Sequence, residues 1–141
     1  MKYTIKNKCI KIEVDSFGAE LKSLINLEND TEYLWQGDPK YWNRTSPVLF
    51  PIVGKLLDDE YTYKEKLYKM SQHGFARDKE FILVEQDERV LKFMQESNLE
   101  TQSYFSQISQ VLSVMSATSQ TQSSNSKSLK CPEKSKTKCL L

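Results

Sequence analysis

A period of two in the hydrophobic pattern narrows the possible folds more than any other feature. Ile10, Ile12 and Val14 alternate with Lys11, Glu13 and Asp15, which places one face of a strand on a core and the other in water. Phe17-Gly18 breaks the run. Ala19, Leu21, Ser23, Ile25 and Leu27 then alternate with Glu20, Lys22, Leu24 and Asn26, predicting a second strand that joins the first in a hairpin or meander. Leu27-Glu28-Asn29-Asp30-Thr31 carries turn chemistry ahead of the short apolar run Tyr33-Leu34-Trp35, and Gly37-Asp38-Pro39 turns the chain again. The proline is placed to open one helical turn through Lys40-Tyr41-Trp42. Tyr61 and Tyr63 against Tyr68 and Met70, joined through Lys64-Glu65-Lys66, predict a hairpin without the usual Gly or Asn at its turn. Residues 81–84 and 90–94, separated by Glu85-Gln86-Asp87-Glu88-Arg89, predict another. The first 97 residues therefore read as mainly β and antiparallel, with no helix.

Composition divides the chain near Asn98. All four glycines and both tryptophans precede it, and nearly half of the residues from there on are Ser, Gln or Thr. Tyr104, Ile108, Val111, Leu112 and Met115 fall at helical spacing, but serine forms helices poorly. The expectation for residues 98–141 is a Ser/Gln/Lys-rich tail with a weak helix at most, irregular from 116 to 138, where few apolar groups remain to offset chain entropy. The chain as a whole has 141 residues, 38% of them hydrophobic, enough for a core. Its 20 basic and 19 acidic residues give a net charge of +1, which points to neither nucleic acid nor an anionic membrane as partner. The first residues, Met1-Lys2-Tyr3-Thr4-Ile5-Lys6, lack the apolar region of a signal peptide, and no run approaches the roughly 20 apolar residues of a membrane span, so a soluble cytoplasmic protein is expected. Cys9, Cys131 and Cys139 suit neither a disulfide framework nor a CxxC metal pattern.

Two segments carry chemistry. Gln72-His73-Gly74-Phe75-Ala76-Arg77-Asp78 sets the only histidine beside a permissive glycine, an aromatic ring and a fixed cation. Histidine changes its proton near neutral pH, so this residue serves proton transfer or sugar hydroxyl binding, or else is a half-buried side chain hydrogen-bonded in a turn. The second segment is Ser46-Pro47-Val48-Leu49-Phe50-Pro51-Ile52-Val53-Gly54-Lys55. Its two prolines each remove a ladder donor, which excludes a regular central strand and predicts an extended, buried loop.

Together with Asp15-Ser16-Phe17-Gly18-Ala19-Glu20-Leu21 and Leu34-Trp35-Gln36-Gly37-Asp38-Pro39-Lys40-Tyr41-Trp42, these two segments resemble the aldose 1-epimerase (galactose mutarotase-like) family, in particular its bacterial LacX-like branch. Four motifs in the family's order are far more specific than any one, and they cover roughly residues 3 to 97. The resemblance implies an antiparallel β-sandwich, the supersandwich, of which this chain holds the N-terminal part, with an aldose sugar bound in a cleft on a concave sheet. It implies interconversion of anomers: a base takes the proton of the anomeric hydroxyl, an acid protonates the ring oxygen, and the ring opens and recloses with no cofactor and no metal. His73 looks like the family's motif histidine near the sugar ring oxygen, and is the only catalytic candidate. Lys55 stands where relatives usually carry an arginine, exchanging a forked donor for a point charge. Arg77 is a candidate for a sugar or phosphate oxygen, or pairs structurally. Phe50, with Trp35 and Trp42, offers a stacking face for a pyranose, though core packing is the commoner fate of such rings. The family's second histidine and its glutamate base have no counterpart here, since His73 is alone and Glu100 and Glu133 lie in unlike sequence. A truncated, inactive member left by an interrupted reading frame is therefore expected, with a non-catalytic sugar-binding module or a non-functional fragment as alternatives.

Overall fold

The computed structural model describes residues 1–105 and the backbone of residues 110–116. Ile108, Cys131, Cys139 and the stretch past Ser116 lie outside the described residues. Strands β1 (Lys2–Lys6), β2 (Ile10–Asp15), β3 (Glu20–Asn26) and β4 (Thr31–Glu32) form an antiparallel sheet in sequence order. A hairpin of β5 (Glu60–Tyr63) and β6 (Lys66–Lys69) follows, and β7 (Ile82–Gln86), β8 (Val90–Glu96) and β9 (Gln110–Ser116) form a third sheet. The expected strands are present. β1 and the two-residue β4, where turn chemistry was expected through Thr31, were not expected, although Tyr3 and Ile5 show the same alternation.

The core lies between the first and third sheets. Ile5, Ile12, Val14 and Leu21 from one side meet Leu91 and Phe93 from the other, and Tyr3 contacts Phe93 edge-on at 5.4 Å. Mainly β structure with two apolar faces closed on each other agrees with the expected sandwich.

The face expected of β3 differs in detail. Leu21 and Leu24 both reach the core side although three residues apart, because a bulge shifts the register between Glu13↔Ser23 and Val14↔Leu21. Glu20, expected on the wet face, is buried. The turn at Lys64 and Glu65 has φ of 49° and 62°, the left-handed pair that matches the twist of a two-residue hairpin, here without Gly or Asn. Around Lys40, the Tyr41 and Trp42 N–H groups both donate to the Asp38 carbonyl at 3.0 Å, closing the single turn that Pro39 predicts. Cys9 is disulfide-bonded, which the scatter of the three cysteines had not suggested.

Past Asn98 the structure departs from the helical spacing. The helix is α1 (Leu99–Tyr104), and it ends before most of that pattern begins. It starts where it does because the Asn98 side chain accepts from the Thr101 N–H at 2.9 Å while the Thr101 hydroxyl accepts from the Asn98 N–H at 2.8 Å, a reciprocal cap. Gln110–Ser116 instead pairs with β8 over seven residues, from Val90↔Ser116 to Glu96↔Gln110. With helix propensity weak, an open row of backbone partners along β8 decides the outcome. The Tyr61 hydroxyl donates to the Tyr104 carbonyl at 2.5 Å, joining α1 to the β5-β6 hairpin. Burial, and to a lesser degree charge repulsion from the neighbouring Tyr68 phenol, raises the Tyr61 pKa.

Glu32 closes the first sheet at its edge. Its Oε1 accepts from the Leu24 and Leu34 N–H groups, each at 2.9 Å, and its Oε2 from the Ser23 hydroxyl at 2.5 Å. Burial pushes the pKa up, but these donors outweigh it and hold the group below its ordinary 4.5. A lowered folded pKa contributes stability above the ordinary value and loses it as pH falls through the folded one. Glu32→Gln is expected to cost about 1–2 kcal/mol at neutral pH. In paired melts, that gap should close in acid, below the ordinary glutamate pKa; a gap that persists there would mean the charge is not its source.

Candidate functional site

Two distant segments are locked together by backbone. The Phe50 carbonyl accepts from the Phe75 N–H at 3.0 Å and the Ala76 N–H at 3.2 Å, and Phe50 and Gly74 form a parallel bridge. The Phe50–Pro51 peptide is cis. A few residues further along the loop, the His73 N–H donates to the Gly54 carbonyl at 2.7 Å and the Gly54 N–H returns a bond to His73 Nδ1 at 2.9 Å. The proline-bracketed loop and the histidine segment thus form one unit. The loop is irregular, as the prolines predicted, but half-buried along most of its length rather than buried.

Left-handed backbone concentrates at this junction. Gly54, Asp58, Asp59, His73 and Gly74 have φ of 97°, 53°, 57°, 67° and 74°. Three of these are non-glycine, a conformation held only where the surroundings over-determine it. At Gly74 a Cβ would lie 2.5 Å from the Phe50 carbonyl carbon and 2.7 Å from Pro51 Cδ, so only glycine admits the close approach.

The hydrogen bond to His73 Nδ1 sets the tautomer of the neutral ring. With Nδ1 accepting from the Gly54 N–H, the neutral ring carries its proton on Nε2; the Gln72 amide nitrogen lies 3.3 Å away and, being a donor itself, makes no hydrogen bond to Nε2 in that tautomer. His73 is half-buried and fixed in a turn, and its Nε2–H is a donor suited to a hydroxyl or ring oxygen. Phe50 meets Phe75 and Phe105 edge-on, at 6.1 and 6.2 Å, and belongs to the apolar wall beneath the junction. Lys55 follows Gly54 directly; its ammonium sits 3.4 Å from Asp59, both side chains well exposed. Trp35 and Trp42, for which core packing was the commoner expectation, are 44% and 52% exposed. The Trp35 indole N–H donates to the Trp42 carbonyl at 2.8 Å, which ties their loop to itself rather than to the core.

Arg77 lies in a short 3₁₀ turn, Ala76–Asp78, with its Nε 3.2 Å from Asp78 Oδ2. The turn is gripped by a residue the sequence did not single out. Arg44 places Nη1 3.0 Å from Asp78 Oδ1, Nη2 on the Arg77 carbonyl, and Nε 3.3 Å from Glu20 Oε2, close enough for charge attraction though not aligned as a hydrogen bond. Glu20 also accepts from the Thr45 N–H and lies 3.2 Å from Lys22. Gly18 makes room, since a Cβ there would stand 2.5 Å from the Arg77 oxygen. Arg44 falls in the gap between two of the four motifs, and no periodicity pairs it with residues 24 and 34 positions away.

Among the described residues no three His, Cys, Asp or Glu side chains gather as a metal site, and no helix is long and apolar enough to cross a membrane.

Comparison with known proteins adds to this geometry. The family model described as Aldose 1-epimerase matches residues 1–119, past the composition break. The plasmid and chromosomal LacX proteins of Lactococcus lactis subsp. lactis are each 36% identical over 105 residues, covering 71% of this chain and 35% of theirs. Among solved structures, a galactose mutarotase related enzyme from Lactobacillus acidophilus superposes with a TM-score of 0.80 at 39% identity, over 84% of this chain and 39% of its own. A galactose mutarotase-like protein from Lactobacillus casei gives 0.79 at 39%, over 84% and 40%. The chain spans about a third of the length of the curated relatives it matches.

Proposed function

Because the chain belongs to the aldose 1-epimerase family, we propose that it holds an aldose sugar at the His73–Gly54 junction and does not by itself speed anomer exchange. The fixed tautomer of His73 carries this reading. Its Nδ1 lone pair is taken by the Gly54 N–H, so the ring presents an Nε2–H donor to a sugar oxygen. Ring opening needs a group that gives a proton and another that takes one. Among the described residues the His73 ring nitrogens meet the Gly54 amide and the Gln72 side chain, neither of which moves a proton at neutral pH. No other histidine exists in the sequence to complete the pair. Lys55 and Phe50 flank the junction, as a point-charge donor and as part of its apolar wall, and Arg77 lies four residues beyond His73. The interconversion of hexose anomers is thus the activity of the lineage, and this chain retains the binding part. In this reading the first 97 residues carry the sugar-binding part of the sandwich, and the segment past the composition break adds α1 and β9 before Ser- and Lys-rich sequence takes over. Paired proton transfer calls for no cofactor, and we place the protein in the cytoplasm.

Polarimetry on freshly dissolved α-D-galactose and α-D-glucose, beside NMR titration with the same sugars, tests the proposal. Amide shifts at residues 72–78 with an unchanged mutarotation rate are expected. His73→Asn, which tolerates the left-handed backbone, should abolish those shifts. Faster mutarotation that disappears in His73→Asn would overturn the inactive reading, and a spectrum indifferent to sugar would overturn binding.

A further inference from the structure

We propose that Arg44 is a positioning residue that acts through Asp78 to aim Arg77 at a sugar oxygen beside His73, an inference that rests on the sugar-binding reading above. The Asp78 carboxylate is shared: Oδ1 takes Arg44 Nη1 at 3.0 Å and Oδ2 takes Arg77 Nε at 3.2 Å. Arg44 also holds the Arg77 carbonyl, so it grips that residue by its main chain and, through Asp78, by its side chain. Arg44 itself is anchored by the buried Glu20 carboxylate, and its guanidinium lies 5.7 Å from the centre of the Phe17 ring. The surrounding backbone is shaped to this contact. Gly18 has φ of 72°, its N–H donates to the Lys79 carbonyl at 2.7 Å, and its missing Cβ leaves the space in which the Arg77 carbonyl meets Arg44.

The consequence is a guanidinium with one edge occupied. Arg77 spends Nε on Asp78, and among the described residues its two terminal nitrogens make no hydrogen bond. They remain as a planar, forked donor pair four residues along the chain from His73, and the turn that carries them is fixed on one side by Arg44 and Gly18 and on the other by the Phe50 carbonyl. Asp78 is shared by Arg77 and Arg44, and Glu20 by Arg44 and Lys22, so the cluster keeps one positive charge and suits an electron-rich ligand oxygen. Lysine at position 44 keeps the attraction to Glu20 but cannot reach Asp78 and the Arg77 carbonyl at once.

A double-mutant cycle on sugar affinity separates positioning from general support. D-galactose is titrated into the wild-type chain, Arg77→Gln, Arg44→Lys, Asp78→Asn and Arg44→Lys/Arg77→Gln, with ¹⁵N-¹H spectra recording both the sugar shifts and the Arg77 Nε–H signal. Arg77→Gln should weaken binding about tenfold, the effect of one charge-assisted hydrogen bond. Arg44→Lys and Asp78→Asn should each lose nearly as much. The double variant should bind no more weakly than Arg77→Gln alone, because Arg44 has nothing left to aim. Additive losses would overturn the proposal, as would a well-dispersed Asp78→Asn chain with unchanged affinity; Asp78 is half exposed, so that variant is expected to fold. The Arg77 Nε–H signal should exchange slowly in the wild type and quickly in both Arg44→Lys and Asp78→Asn. That readout needs no sugar: if it behaves so while galactose fails to bind, positioning stands and the sugar reading falls, whereas fast exchange in the wild type removes positioning itself.

Discussion

Gly74→Ala is expected to unfold the chain or leave it barely folded, the largest effect of any single methyl group at the junction. At φ of 74° an L side chain is strained, at about 1–2 kcal/mol. Steric conflict costs more, because the new Cβ would meet the Phe50 carbonyl and Pro51, and relieving that contact separates the two segments. Separation forfeits the bonds from the Phe75 and Ala76 N–H groups to Phe50, at about 1 kcal/mol each, and loosens the packing of Phe50 on Phe75. Strain and the two bonds sum to about 3–4 kcal/mol before the packing loss, most of the roughly 5 kcal/mol at the low end of domain stability. Gly54→Ala is the internal control: its φ of 97° is also left-handed, but a Cβ there has nothing within 4 Å. It should cost only the backbone strain, about 1–2 kcal/mol. Urea titration of the two variants reads the difference. Equal losses would mean that strain, not the close approach of Phe50, makes glycine necessary at position 74.

The second large effect is expected at Arg44. Arg44→Met removes the partner of the buried Glu20 carboxylate and the donor to the Arg77 carbonyl together. Losing one half of a buried pair costs about 3–5 kcal/mol, because the remaining charge keeps its desolvation without its attraction. The lower end applies, since Lys22 and the Thr45 N–H still reach Glu20. Adding Glu20→Gln should recover part of the loss, since the stranded charge is then gone. A double variant as unstable as the sum of the singles would place the cost in packing rather than charge. An exposed pair behaves differently. Lys2 and Glu13, 2.8 Å apart with the lysine 60% exposed, raise the Lys2 pKa mainly through their hydrogen bond, yet Lys2→Met should change stability only slightly.

The contrast between these charges marks how far the sequence could be read. Ile12 and Val14 announce their strand because alternation is a local property: neighbouring side chains on a pleated backbone point to opposite faces whatever lies elsewhere. The same logic made Pro47 and Pro51 legible as a loop, since a missing donor needs no partner to be recognised. His73 and Gly74 stood out by type, and the four ordered motifs carried the family. Arg44 did not stand out, because its meaning lies in Glu20 and Asp78, which are near it only in space. Nor did alternation reveal the burial of Glu20, where the β3 bulge and the arrival of Arg44 override the pattern.

Past Asn98 the balance shifts further toward context. Serine-rich sequence has little conformational preference of its own, so α1 begins where Asn98 and Thr101 cap each other and β9 forms where β8 offers an open edge. The amino-acid order by itself determined β2, β3 and the β5-β6 and β7-β8 hairpins, the proline-kinked loop and the identity of the histidine segment, because periodicity and fixed φ act between neighbours. Tertiary structure alone decided that Gly54 would fix the tautomer of His73, that Phe50 would demand a glycine at 74, and that Arg44 would hold Arg77. Each of those depends on a contact between residues tens of positions apart, which exists only once the sheets have closed.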